Sequence, residues 1–489
     1  MISKSQFLKY IQCYKYLWLY KFRRDLLPEE IAVHQQAIFD EGYVVEDYAK
    51  KLFSDGVEIE GLFDEAINKT KEEIKKGSKI LFQATAKAKS LYSMADVFVY
   101  NTKTKKWDIY EVKSSTSVKD IHLIDLAFQK ICFESAGYAI GKLHLLHVNN
   151  KYVREGDVDI KKLIKINDVT KDVFDIIKQV KLDINEALKL IKKTKEPEIK
   201  ILKQCNSPYE CPFIHYCWKD FPEDNIYSIA GGLSYNKLEN LIERGIIDIK
   251  DIPDNYLTSK RSILHHKVVK HEKTLIEKDK IKKDLAKLKY PLYFIDYETY
   301  SPAVPMFDGY KPYQRIVFQY SLHVLEKPSG KLKHYEYLCQ GEKDPTEELS
   351  ETLKSQIKKP GTFISWNSIF EKGCNREMAL RAPKYRKMFE DMNEAMFDLM
   401  LIFRKGHYVD KRFRGSASIK KVLPVLVPEL SYKDLNIQEG GTASESWARL
   451  ISKDIKKKDK EKLNKDMLAY CELDTLAMVK IHEFLEKLN

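Results

Sequence analysis

The chain reads as an α/β protein of more than one domain, and three observations predict it. Short apolar runs bounded by turn residues alternate with longer segments of helical periodicity, first before residue 220 and again after residue 290. Between them, residues 221–290 are highly charged and helical in pattern, without a strong strand. The length, 489 residues, allows about two to four domains, each burying its own core. The boundaries fall at 1–220, 221–290 and 291–489, and no internal repeat is present.

In the first segment, Gly42–Phe53 has a helical pattern. Ala95–Tyr100 is a strand with Asp96 near its start, Asn101–Lys106 a polar turn, and Trp107–Lys113 a second strand. Residues alternate faces along a strand, so Glu111 and Lys113 share one, and a hairpin can bring Asp96 beside them. Two acids can hold a divalent cation while the lysine orients or deprotonates water and offsets phosphate charge. Ala127–Phe133 follows as a helix with Gln129 and Phe133 on one face. The alternative is an ordinary exposed hairpin whose charges pair across the strands.

Eight cysteines in a chain this long do not make a disulfide scaffold, so a reducing, cytoplasmic setting is expected. Cys205, Cys211 and Cys217 are closely spaced, which suggests a metal before a disulfide, and Cys13 is the natural fourth thiolate. Zinc, with His215 as a substitute ligand, remains open, as do plain reduced thiols. Cys132, Cys339, Cys374 and Cys471 are scattered and read as core residues.

The middle segment offers Leu238–Arg244 as a helix ended by Gly245, a position that favours positive φ. This is faintly like a helix-hairpin-helix phosphate-binding element, but a helical connector is the plainer reading.

After Pro291, the apolar run Leu292–Ile295 is a buried strand closed by Asp296-Tyr297-Glu298. Positions i and i+2 put both carboxylates on one face, where they repel unless a divalent cation lies between them. Phe363–Trp366 is another strand, ending in Asn367-Ser368-Ile369-Phe370-Glu371. Far downstream, Tyr470 and Asp474 lie four apart in a helical pattern and share a face. Gly415–Pro424 follows the third strand with Ser418 as a helix N-cap; Arg414, Lys420 and Lys421 there either meet a nucleic-acid backbone or are simply surface.

These three motifs, in order, resemble the DEDD exonuclease superfamily of RNase H-like fold, in the subtype whose last motif is Tyr-x-x-x-Asp. The resemblance implies that Asp296, Glu298 and Asp474 are the first, second and fourth ligands of two Mg2+ or Mn2+ ions about 4 Å apart, with Tyr470 orienting the water. The third ligand belongs in Asn-x-x-(Phe/Tyr)-Asp, where this chain has Glu371; the extra methylene shifts the oxygen, and Asp398 is the reserve ligand.

The order Asp96, Glu111-x-Lys113, Gln129-x-x-x-Phe133 resembles the RecB-like branch of the PD-(D/E)xK nucleases, of restriction-endonuclease-like fold. That resemblance implies a metal at Asp96 and Glu111, with Glu46 on the early helix as a further ligand. Cys13 with the later trio resembles the iron–sulfur members of that branch, implying a 4Fe-4S cluster that staples the domain's ends. The first gap in the trio, five residues instead of two, departs from their pattern. Taken together, the chain resembles a bacterial family that fuses a RecB-like nuclease of iron–sulfur type, through a helical connector, to a DEDD exonuclease of the Tyr subtype.

A net charge of +12, from 84 basic against 72 acidic residues, is compatible with a polyanionic partner. The lysine excess and the richness in Ile, Asn and Tyr also follow from A+T-rich coding. No apolar stretch approaches the roughly 20 residues of a membrane span, and Met1–Gln6 lacks the apolar core of a signal peptide. The expectation is a metal-dependent nuclease, with DNA the favoured substrate, in DNA processing, repair or defence. The alternatives are a nucleic-acid-binding scaffold with one or both sites inactive, and an RNA-processing exonuclease.

Overall fold

The computed structural model describes residues 1–28 and 33–488, and shows a mixed α/β chain with three sheets among them. It divides into two compact units: Met1–Lys219 with Pro302–Gln314, and Asp220–Ser301 with Arg315–Asn489.

The first unit is built on a sheet in the order Val57–Glu58, Ile80–Ala88, Leu91–Asn101, Lys106–Lys113, Ile140–Val148, Ile164–Asp168. Leu91–Asn101 and Lys106–Lys113 pair antiparallel, with Val97 opposite Tyr110. The short strand Ile2–Ser3 adds in parallel to Leu91–Tyr92, and the helix Lys4–Gln12 starts there on a reciprocal cap between Ser3 and Gln6. Helices Asp120–Ser135 and Thr170–Leu190 cover the sheet over a core that includes Phe98, Phe128 and Phe133.

The segment 302–314, which the sequence reading assigned to the C-terminal domain, belongs to this unit. Arg154 explains much of it: its guanidinium donates to the carbonyls of Pro305 and Met306, and its backbone exchanges bonds with Gly309 and Tyr310. Ala303 is buried in the same core as Val112 and Leu146.

The second unit holds a five-stranded sheet in the order Leu332–Leu338, Ile316–Leu325, Leu292–Tyr300, Thr362–Ser365, Met396–Asp398. The first three strands form an antiparallel meander and the last two run parallel to the central one. Alternation along the central strand decides the layering. Tyr293, Ile295 and Tyr297 pack towards a layer that contributes Leu349, Cys374, Met378 and Phe389. On the opposite face, Phe294 meets His482 of the long helix Lys457–Glu486. Residues 221–290, expected as a separate helical connector, fall inside this unit; they carry the helices Tyr235–Glu243, Lys260–His271 and Lys278–Leu285 and the short strand Leu275–Ile276, with Gly245 at φ +71°. No described helix is long and apolar enough to cross a membrane.

Candidate active sites

The clearest constellation lies in the second unit, in a cleft of about 220 Å³ lined by Asp296, Glu298, Glu371, Lys420, Tyr470 and Asp474, among others. The central strand aims Asp296 and Glu298 to one side, and the long helix presents Tyr470 and Asp474 one turn apart. One oxygen from each of Asp296, Glu298 and Asp474 lies within 4.8 Å of the others. Glu371 enters from the first turn of the helix Ser368–Arg381.

Burial and mutual repulsion push these acids upward. Asp296 is held well above the usual carboxylate range by burial, then by Asp474, Glu298 and Glu371. Glu298 is raised by burial and by Asp474, with Lys420 opposing. Burial lifts Asp474 to about 6 against the opposing Tyr432 hydroxyl and Lys420, and lifts Glu371 to about 8. Glu371 Oε2 is buried with no hydrogen-bond partner among the described residues. Four acids raised together in one cleft, one of them with an unmet oxygen, fit a group that supplies positive charge.

Asp398, the reserve ligand, is committed elsewhere. Its carboxylate accepts the amides of Asn367, Ser368 and Met400 at 3.1–3.3 Å. It thereby caps the helix that carries Glu371, while Asn367 before it sits at φ +94°. Ser418 occupies the N-cap position of the helix Ile419–Leu426, but its side chain makes no capping bond. Lys420, the second residue of that helix, lines the cleft and lies over the rings of Tyr470 and Tyr432 at 5.5 and 5.7 Å. Arg414 pairs instead with Glu223.

Two cleft residues were missed from sequence. Tyr432 donates to Asp474 Oδ1 at 2.5 Å, and Cys471, read as core, lies with Sγ 3.8 Å from Asp296 Oδ2. Cys471 follows Tyr470 directly and carries a partial signal; Tyr432, 42 positions from its partner, carries none.

The first unit assembles a second group. Asp96 accepts the Val112 amide at 2.8 Å across the hairpin. Lys113 donates to Glu111 at 2.6 Å and to Asp125 at 2.8 Å. Gln129 donates to Glu111 at 2.6 Å and to Asp125 at 3.1 Å. Lys4, placed by the capped N-terminal helix, donates to Glu111 at 2.7 Å. Burial alone lowers Lys113, but Asp125, Glu111 and Asp96 outweigh it and hold the ammonium well above its ordinary range. Asp96 is raised by burial, with Lys4 and Lys113 opposing.

Lys4 and Asp125 were not singled out from sequence. Asp125 could have been, since it sits four residues before Gln129 on one helix face. Glu46 is engaged by Gln83 at 2.5 Å and Lys50 at 2.9 Å. Among the described residues, no three ligand atoms of this group converge as they do at Asp296.

Cys13, Cys205, Cys211 and Cys217 come near enough to act on one another. Burial raises Cys205 to about 11 and Cys211 to about 12, and the charges of the other thiols push each the same way. The ends are tied beside them: Gln12 donates to the carbonyls of Gln204 and Tyr209, Trp18 to that of Lys193, and Lys15 pairs with Glu196. Buried thiols that repel as thiolates fit a cationic metal group. No three of the sulfurs lie within 4.8 Å of one another among the described residues, whereas four Zn–S bonds of about 2.3 Å require roughly 3.8 Å. His215 is exposed. Cys132, Cys339 and Cys374 are buried.

Comparison with known proteins matches one family to part of the chain and finds several uncharacterized relatives. A family described as "Domain of unknown function (DUF2779)" matches residues 293–418, a span that holds Asp296, Glu298, Glu371 and Asp398. The chain is similar to an uncharacterized MG366 homolog of Mycoplasma pneumoniae, 28% identical over 225 residues, 42% of this chain and 34% of that protein. It is also similar to the uncharacterized protein UU173 of Ureaplasma parvum, 28% identical over 42% of this chain and 32% of that protein. Uncharacterized protein MG366 of Mycoplasma genitalium is 26% identical over 43% and 34%. The chain spans about a third of the length of these curated relatives.

Proposed function

We propose that the chain is a divalent-metal-dependent nuclease with two sites. The second unit is read as an RNase H-like 3′→5′ exonuclease of the DEDD type with Tyr470, and the first as a RecB-like PD-(D/E)xK nuclease. The observation that carries the reading is the convergence of Asp296, Glu298 and Asp474 oxygens within 4.8 Å, in a cleft that also holds Glu371 and Tyr470. The mixed five-stranded sheet, with its acids on the central strand, supports it.

In this reading Asp296, Glu298, Asp474 and Glu371 hold Mg2+ or Mn2+, which supplies Lewis acidity and lowers the pKa of water. Tyr470 stays a protonated phenol, held up by burial and by Asp474 and Glu298. It can therefore donate to and orient a water. Tyr432 fixes one oxygen of Asp474 and so sets the direction of the other. Lys420 offsets charge at the mouth, where a phosphate enters. In the first unit, Glu111 and Asp96 hold the cation, and Lys113 positions water or phosphate. The four cysteines would hold a 4Fe-4S cluster that ties residue 13 to the 205–217 segment. DNA is the proposed substrate.

A scaffold with a silent first site is favoured by one observation: Glu111 is already paired with both Lys4 and Lys113. Labelled single- and double-stranded DNA and RNA, each end-blocked in turn, decide the matter. Degradation that needs Mg2+ or Mn2+ supports the nuclease; binding that survives EDTA without turnover supports the scaffold.

A further inference from the structure

Outside the carboxylate cleft, on the same sheet and the same long helix, a second set of ligand-bearing side chains converges. The strands Ile316–Leu325 and Leu332–Leu338 place His323 directly opposite His334. The rings stack with centroids 4.4 Å apart and planes at 26°. Glu472, on the helix turn between Tyr470 and Asp474, completes the group. One ligand atom from each of the three lies within 4.8 Å of the others.

Each imidazole already has one nitrogen held. His323 Nδ1 is bonded to Thr475 Oγ1 at 2.8 Å, and His334 Nε2 to Ser321 Oγ at 2.9 Å. The two hydroxyls bond each other at 2.7 Å. This network holds the buried His323, tethers the partly exposed His334, and leaves His323 Nε2 and His334 Nδ1 as the remaining nitrogens. Histidines that bind metals commonly have the other ring nitrogen anchored in this way, which sets tautomer and orientation. His334 Nδ1 stands 3.7 Å from Glu472 Oε1. Two bonds of about 2.05 Å at a tetrahedral angle separate their ligand atoms by roughly 3.4 Å, close to the His334–Glu472 spacing; the partly exposed His334 ring turns out of its stack on His323 for both imidazoles to meet one ion.

We propose that His323, His334 and Glu472 bind a first-row transition ion of the Zn2+ class, distinct from the ions of the carboxylate cleft. Two imidazoles and one carboxylate suit Zn2+ or Co2+, whereas Mg2+ prefers an all-oxygen shell. The His334 and Glu472 side chains are 23% and 48% exposed, so the open side of the site faces solvent and the ion can exchange. Its ligands come from two strands and the helix, so the ion fastens Lys457–Glu486 to the sheet between Tyr470 and Asp474. The site does not depend on the nuclease reading.

The test is titration of the full chain with Co2+, with Mg2+ in excess to occupy the carboxylate cleft. The expected result is one equivalent more than Glu472→Gln binds, seen as weak visible bands without thiolate charge-transfer absorption in the difference spectrum of wild type against that variant. Asp296→Asn keeps that equivalent, while His334→Ala and Glu472→Gln each lose it or bind it at least 10-fold more weakly. Glu472 is half-exposed, so its variant tests the site without disturbing the core. Zn2+ should also raise the unfolding temperature of the wild type by more than that of Glu472→Gln. An equal Co2+ stoichiometry and affinity in wild type and Glu472→Gln overturns the proposal, as does loss of the equivalent in Asp296→Asn.

Discussion

Replacing Glu371 with glutamine should make the metal-free protein more stable and less active at once. Burial is the main reason that this carboxyl titrates at about 8 instead of its ordinary 4.5. An unfolded chain releases the proton near 4.5 and the folded one keeps it to about 8, so between those values the native state binds one more proton. Stability then falls as pH rises across that window. At pH 7 the difference spans roughly 2.5 pH units, an upper bound of about 3.4 kcal/mol at about 1.36 kcal/mol per unit. Glutamine keeps the size and has nothing to ionise. Denaturant unfolding in EDTA, followed on the transition of the unit that carries the cleft, should find the two proteins nearly equal at pH 5. At pH 7.5 the variant should be ahead by about 1–3 kcal/mol. Mg2+ or Mn2+ should narrow the gap by stabilising the wild type alone. Glu371→Asp should keep partial nuclease activity, and Glu371→Ala should lose it. A glutamine variant no more stable than wild type at pH 7.5 in EDTA would refute the assignment of a strained, metal-requiring carboxyl at this position.

Tyr470→Phe keeps the ring and removes the hydroxyl, so turnover should fall by about 10- to 1,000-fold, with nucleic-acid binding, read by fluorescence anisotropy, unchanged. Tyr432→Phe should act through Asp474, weakening Mn2+ binding in a calorimetric titration more than it alters folding. In the first unit, Lys113→Ala should abolish cleavage that persists when Asp296 is removed, while the circular dichroism spectrum is retained; undiminished cutting there would defeat the RecB-like reading. Anaerobically purified protein should be brown with broad absorbance near 400 nm, and Cys211→Ser should lose both the colour and several degrees of unfolding temperature. Stoichiometric zinc without iron would keep the staple and overturn the cluster.

The elements that carry local signals were legible. Alternation around Asp296 and Glu298, the turn between Ala95–Tyr100 and Trp107–Lys113, and the four-residue spacing of Tyr470 and Asp474 each report a face or a reversal through nearby residues alone. What escaped depends on long-range packing. Lys4 reaches Glu111 only because Ile2–Ser3 joins the middle of the sheet, and nothing in residues 1–6 says where that strand will pair. Tyr432 meets Asp474 across a loop and a helix. Residues 302–314 carry no period, so their place rests on long-range contacts: hydrogen bonds with Arg154 and Glu41, and the burial of Ala303 beside Val112 and Leu146. Asp398, the reserve ligand of the sequence, has its oxygens turned to the backbone amides of Asn367 and Ser368, which no local pattern reports.

The central claim, that the Asp296 cleft removes nucleotides from 3′ ends, is tested most directly with Lys113→Ala protein, in which the first unit's site is disabled. A 5′-labelled single-stranded DNA incubated with Mn2+ should shorten one nucleotide at a time from its 3′ end. The ladder should disappear with a blocked 3′ end, with EDTA, and on adding Asp296→Asn. Internal cuts, or a ladder that survives Asp296→Asn, would contradict the account.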